Sequence, residues 1–138
     1  MNLLHNNTLG IDIGSTTVKI AVLDSEQHIL FTDYERHYAN IQETLALLLS
    51  RAKEKLGEMT ISPSITGSGG LTLSGHLNVS FTQEVVAVAT ALQDYAPQTD
   101  VAIELGGEDA KIIYFTGGID QRMNGICAGG TGSFIDQM

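Results

Sequence analysis

Leu9-Gly-Ile-Asp-Ile-Gly-Ser-Thr-Thr-Val-Lys-Ile20 decides the fold, because Ala102-Ile-Glu-Leu-Gly-Gly-Glu-Asp-Ala-Lys-Ile-Ile113 repeats its pattern. Placing Asp12 on Glu104, 92 residues further on, also superposes Ile11 on Ile103, Gly14 on Gly106, Lys19 on Lys111 and Ile20 on Ile112. Each copy reads as an apolar strand, an acidic residue, a glycine turn, small or polar residues and a second apolar strand, which predicts a hairpin with a Gly-bearing turn. Glycine lets the main chain come close to an anion. Ser15, Thr16 and Thr17 add hydroxyls that reach a phosphate or Mg²⁺-bound water, and the carboxylate of Asp12 is placed to hold that metal's water shell. A single strand-glycine-strand hairpin with a carboxylate is commonplace, but two at matching positions predict a duplicated nucleotide-binding architecture.

The 138 residues, 14.7 kDa, suffice for one average domain or two small ones. An apolar fraction of 43% with 17% charged residues describes a globular chain. No uninterrupted apolar run reaches the ~18 residues that span a bilayer, and the opening Met1-Asn-Leu-Leu-His-Asn-Asn7 lacks the basic and apolar regions of a secretory signal. A cytoplasmic protein without membrane contact is expected. The formal charge of −9 carries no compensating Lys/Arg cluster and speaks against nucleic acid as a partner. Cys127 is the sole cysteine, so it is either a small buried apolar residue or a thiol for reactivity, metal binding or a partner chain.

Residues 8–14, 17–24 and 27–34 read as three successive antiparallel strands, the last more polar and at an edge. From Asn40, Ile41, Thr44, Leu45, Leu48 and Leu49 recur at helical spacing to about Leu56, and Gly57 supplies the stop. A short strand from Thr60 to Thr66 ends in Gly67-Ser-Gly-Gly70, Leu71 to Leu77 reads as a helical turn, and Val79-Ser-Phe81 as a brief strand. Thr82 is the predicted N-cap of an apolar helix reaching Tyr95, with Glu84 in its first turn. Ala96-Pro-Gln-Thr-Asp100 then divides residues 1–96 from 97–138, where strands at Val101–Leu105 and Lys111–Phe115 and a third beyond Gly117-Gly118 restart the pattern. The first half takes about ninety residues, so the second is expected to be truncated and the chain to be a fragment.

The paired hairpins flanking a crossover helix resemble the acetate and sugar kinase, Hsp70 and actin superfamily, an α/β ribonuclease H-like or actin-like ATPase fold. The resemblance implies one complete subdomain plus the start of its duplicate. It also implies that Asp12, Gly14, Ser15, Thr16 and Thr17 form a first phosphate element and Glu104, Gly106 and Gly107 a second. Gln83-Glu84-Val-Val-Ala-Val-Ala-Thr-Ala-Leu92 resembles the connecting helix, with Glu84 where that superfamily orients water or metal. Glu104 stands where aspartate is usual. Lys19 and Lys111 either approach a phosphate or are solvated strand lysines, the latter being the commoner fate.

Glu104-Leu-Gly-Gly-Glu-Asp-Ala-Lys111 and Met123-Asn-Gly-Ile-Cys-Ala-Gly-Gly-Thr-Gly-Ser-Phe-Ile-Asp-Gln-Met138, with Thr66-Gly-Ser-Gly-Gly70 and Glu84, resemble more specifically the activator ATPases of 2-hydroxyacyl-CoA dehydratases and the ATPase subunits of benzoyl-CoA reductases. This resemblance implies ATP/ADP and Mg²⁺ as ligands and a [4Fe–4S] cluster held through Cys127 between two subunits of a homodimer. A low-potential electron would pass to an acyl-CoA dehydratase or reductase component. Gly129, Gly130 and Gly132 leave N–H groups free beside a helix start, an environment that favours a thiolate. Four thiolates are the usual requirement, and the resemblance implies a second cysteine and an adenosine-binding segment farther along the chain, so the 138 residues alone are expected neither to hold the cluster nor to hydrolyse ATP appreciably. Other readings remain: a small-molecule kinase acting on an acyl or sugar acceptor, or a non-catalytic nucleotide-sensing module. His5, His28, His37 and His76 show no metal-ligand spacing, and with Ser133 read as structural or solvent-facing.

Overall fold

The computed structural model describes residues 6–107 and 109–123, and the chain divides into two compact units, residues 1–82 and 83–138. In the first, β1 (Asn7–Ile13), β2 (Thr17–Leu23) and β3 (Ile29–Arg36) form the antiparallel meander that the sequence predicts. Helix α1 (Ile41–Leu56) crosses to β4 (Ile61–Thr66), which runs parallel to β1, and α2 (Gly70–Leu77) crosses to β5 (Ser80–Phe81), parallel to β4. The sheet order is β3-β2-β1-β4-β5, with β3 at the expected edge.

Side chains alternate across a strand. Leu9, Ile11 and Ile13 of β1, Val18, Ile20 and Val22 of β2 and Ile65 of β4 therefore share one face, where they are buried with Leu45, Leu48 and Ala52 of α1 and Leu73 of α2. The 45, 48, 52 spacing keeps one stripe of α1 on that face. Asp12, Lys19 and Thr66, paired in register across β2-β1-β4, occupy the other face. Because β1 and β4 are parallel, their C-terminal ends meet at one sheet edge, the edge at which ligands of open parallel sheets bind.

Two local expectations shift. Strand β3 starts at Ile29 rather than 27, because Asp24 organises a turn: its Oδ1 accepts the N–H groups of Glu26 and His28, and its own N–H donates to the His28 carbonyl. The N-cap of the helix after β5 is Gln83 and not Thr82. Thr82 donates its N–H to the Ile65 carbonyl at 2.8 Å and so belongs to the sheet margin.

The second unit contains α3 (Glu84–Tyr95) and the antiparallel meander β6 (Val101–Leu105), β7 (Ala110–Tyr114) and β8 (Asp120–Met123). Its hairpin repeats the first at the 92-residue offset. Asp12 faces Lys19 in one and Glu104 faces Lys111 in the other, and the turns close identically, Gly14 N–H to the Thr17 carbonyl at 2.9 Å and Gly106 N–H to the Asp109 carbonyl at 2.8 Å. Burial separates the copies. Ile11 and Ile13 are 4% and 0% exposed under their helices, whereas their counterparts Ile103 and Leu105 are 68% and 52% exposed. Among the described residues no helix is long and apolar enough to cross a membrane.

The equivalent isoleucines should therefore behave oppositely. Ile11→Ala should cost about 2–5 kcal/mol in urea denaturation, as core truncations do, whereas Ile103→Thr should stay within about 0.5 kcal/mol of the parent while lowering the fluorescence of a dye that reports exposed apolar surface. Equal losses at the two positions would show that the β6 face is covered in solution.

Candidate phosphate-binding site

The turn between β1 and β2 is a two-residue loop, Ser15-Thr16, closed by the Gly14 to Thr17 hydrogen bond. Ser15 is exposed, Thr16 and Thr17 half-buried. Behind the turn lies buried His37. Its backbone N–H donates to the Thr16 carbonyl at 3.1 Å, and its imidazole Nε2 lies 3.1 Å from the Gly14 carbonyl oxygen. The Ala39 N–H donates to Nδ1 at 3.0 Å, so Nδ1 accepts and Nε2–H is the donor to Gly14. In a trans peptide, C=O and N–H point in opposite directions, and no cis bond occurs among the described residues. With the Gly14 carbonyl drawn to His37, the Ser15 N–H is directed away from it. Tyr38 and Ala39, with φ of 45° and 68°, occupy left-handed backbone that non-glycine residues adopt at a cost, and this loop carries the histidine.

Beside the turn, Lys19 Nζ donates to Asp12 Oδ2 at 3.3 Å, an exposed pair. On the opposite flank, Gly67 has φ of 98°, and a Cβ there would lie 2.3 Å from the Ile13 carbonyl oxygen and 2.6 Å from Asp12 Oδ1. No other residue fits. The Gly69 N–H donates to the same Ile13 carbonyl at 2.9 Å, fastening the Thr66–Gly70 loop to the end of β1. A lone carboxylate flanked by hydroxyls and a free-pointing amide suits a phosphate and a hydrated Mg²⁺, an ion that keeps several of its waters. Among the described residues, no three His, Cys, Asp or Glu side chains converge as a metal site.

The second hairpin is charged differently. Lys111 is not the solvated strand lysine that its sequence position suggests: its side chain is 9% exposed. It donates to the carboxylate of Glu84 at the start of α3 and lies 3.7 Å from Asp109 Oδ2, while Glu104 faces it across the strands. Burial pulls the lysine pKa down most strongly of any single effect, but the Glu84 hydrogen bond and the charges of Glu104, Glu84 and Asp109 together outweigh it, leaving the pKa above the ordinary value. Gly106 and Gly107 are half-buried at the turn. Lys19, by contrast, is exposed as expected. Cys127 and its glycine-rich loop lie outside the described residues.

The sequence reads His37 only as structural or solvent-facing. It stands 23 residues from Gly14, and no spacing rule connects a histidine after a third strand to the turn between the first two.

The profile of the BadF/BadG/BcrA/BcrD ATPase family matches residues 9–138. The (R)-2-hydroxyglutaryl-CoA dehydratase activating ATPase of Acidaminococcus fermentans is 29% identical over 136 residues, covering 95% of this chain and 52% of that protein. The activator of lactoyl-CoA dehydratase of Anaerotignum propionicum is 31% identical over 138 residues, again 95% and 52%. Among solved structures, the activator of the 2-hydroxyisocaproyl-CoA dehydratase from Clostridium difficile with bound ADPNP superposes with a TM-score of 0.75 at 28% identity, over 96% of this chain and 50% of that one. The fold is that of the actin-like ATPases. The chain spans about half the length of the relatives it matches.

Two substitutions probe these contacts. His37→Leu keeps bulk but strands the Gly14 carbonyl and the Ala39 N–H, and should cost about 1–3 kcal/mol in urea denaturation. Lys111→Met should destabilise the second unit by leaving its carboxylates without their cation. Since the folded pKa of Lys111 is raised, its contribution is complete below the ordinary lysine value of about 10.4 and is lost as pH climbs through the folded value. The stability gap between parent and Lys111→Met should thus be flat from neutral pH to about pH 9 and close only in stronger alkali, as read by thermal melts across pH.

Proposed function

The chain belongs to the BadF/BadG/BcrA/BcrD ATPase family, and from that membership we propose that it carries the phosphate-binding elements of an ATP-dependent activator of an acyl-CoA dehydratase. The observation that carries this reading is the doubled hairpin, in which carboxylate, lysine and turn closure recur at one offset. The ADPNP bound to the Clostridium difficile activator supports a nucleotide as the ligand.

In this reading the Ser15 amide and the Ser15, Thr16 and Thr17 hydroxyls hold a phosphate, Lys19 offsets its charge, and Asp12 orients the water shell of Mg²⁺. Bound Mg²⁺ supplies neutralisation of the charge that develops on the transferred phosphoryl group. Gly106 and Gly107 offer a second close-approach turn, and Glu104 stands beside it. Glu84 is the water-orienting carboxylate. Its hydrogen bond to Lys111 holds it in one orientation.

Electron delivery extends the reading. Cys127 would serve as one thiolate of a [4Fe–4S] cluster shared by two copies in a homodimer, and the dehydratase or reductase component would accept the electron that the cluster supplies. The dehydratase activators among the relatives support the partner class, and the glycines around Cys127 support a stabilised thiolate.

Asp12→Asn should weaken Mg²⁺·ADPNP binding about tenfold or more, since a charged hydrogen-bond acceptor is lost, and calorimetric titration measures it. Unchanged affinity would remove Asp12 from the site. On a polypeptide of the relatives' full length, purified without oxygen, Cys127→Ser should abolish iron–sulfur absorbance and leave nucleotide affinity within about twofold; a retained cluster would make the thiol structural.

A further inference from the structure

Thr66 ends β4 in parallel register with Asp12 on β1, and neighbouring strands run about 4.8 Å apart. Residues paired in this way point to the same face, here the one bearing Asp12 and Lys19 and opposite to buried Ile11, Ile20 and Ile65. The Thr66 hydroxyl oxygen is buried and has no hydrogen-bond partner. Such a group is rare in a folded protein and unfavourable to stability, so its persistence calls for a reason.

The surroundings of Asp12 supply one. Oδ2 is on the β2 side, held by Lys19 at 3.3 Å. Oδ1 is on the β4 side, against the main chain of Gly67, the residue that follows Thr66, where an added Cβ would stand only 2.6 Å away. The carboxylate thus reaches between the two strands, with an engaged lysine on one flank and an idle donor on the other. Any phosphate seated on the Ser15–Thr17 turn competes for Lys19, whose Nζ lies 3.8 Å from the position of a Cβ on Gly14, at the mouth of that turn. Asp12 then loses its cationic partner at the moment when its orientation matters most.

We propose that Thr66 is a positioning residue for Asp12: when a phosphate draws Lys19 away, the Thr66 O–H donates to the Asp12 carboxylate and keeps it directed at the metal's water shell. The inference rests on the nucleotide-binding reading above. It accounts for a buried hydroxyl without a hydrogen-bond partner, and for the close approach of the Gly67 backbone to the Asp12 carboxylate. Thr66 moves no proton to or from the substrate; it acts through Asp12.

The test uses a polypeptide of the relatives' full length, with Thr66→Val and Thr66→Ser, titrated with Mg²⁺·ADPNP and with ADPNP in EDTA, alongside thermal melts. Valine keeps the shape and deletes the hydroxyl. Thr66→Val should melt at or a few degrees above the parent, because an unsatisfied buried hydroxyl has gone, yet bind Mg²⁺·ADPNP about three- to tenfold more weakly. Its affinity for metal-free ADPNP should not change, and Thr66→Ser should restore the metal-dependent affinity. Opposite movement of stability and affinity is what a merely structural hydroxyl cannot produce. If Thr66→Val binds like the parent, the inference fails while the nucleotide reading stands. If stability and affinity fall together, or the variant does not fold, the hydroxyl is structural and the proposal is overturned. If the parent itself shows no Mg²⁺-dependent binding, the reading falls and takes this inference with it.

Discussion

Burial of Leu9, Ile11 and Ile13 beneath the first two helices is the constraint on which the site depends. A strand has only two faces, so committing alternate residues of β1 to the core sends Gly10 and Asp12 to the other side. Register then carries the assignment outward, placing Lys19 on β2 and Thr66 on β4 beside Asp12 without any further instruction. A slip of one residue would bury the carboxylate and expose three isoleucines or leucines. The free energy that packs the core is thus also what aims the candidate site residues, which need no separate stabilisation to keep their side.

The turn itself is stiffened from behind. Two carbonyls of the Gly14–Thr17 segment are satisfied by one residue, His37, through its main chain and its ring. Because both carbonyls face inward, an amide is left facing outward, which is the arrangement an anion requires. The left-handed backbone at Tyr38 and Ala39 is the strain accepted to place the imidazole there.

Duplication has produced two hairpins with one geometry and two electrostatic settings. In the first, a single carboxylate and a single lysine sit in solvent, where such a pair contributes little to stability and exchanges partners readily. In the second, a nearly buried lysine is surrounded by Glu84, Glu104 and Asp109, so the cation is fixed and its removal would leave like charges facing one another. The first pair suits a ligand that must displace it; the second suits a scaffold that orients Glu84. The apolar faces differ too, since buried Leu9, Ile11, Ile13 and Ile20 of the first unit correspond to exposed Val101, Ile103, Leu105 and Ile112 in the second.

Sequence by itself determined the element order, the hairpin duplication and the glycine turns, because these are consequences of local periodicity and backbone freedom that a few neighbouring residues impose. Asp12, Ser15 to Thr17, Glu104 and the glycines stand out as candidates in the sequence for the same reason. Only the tertiary structure decided what those residues touch. That His37 braces the turn, that Lys111 is buried against Glu84 while Lys19 is not, and that Thr66 hides an unpaired hydroxyl next to Asp12 all depend on crossovers that bring together residues 23, 27 and 54 positions apart. Lys19 and Lys111 share their place in the hairpin, both seven residues beyond an acidic partner, although Asp109 adds a nearby carboxylate where the first copy has Thr17. What separates them further is the helix that delivers Glu84 to one and not to the other, and long-range packing of that kind leaves no periodic trace in the chain.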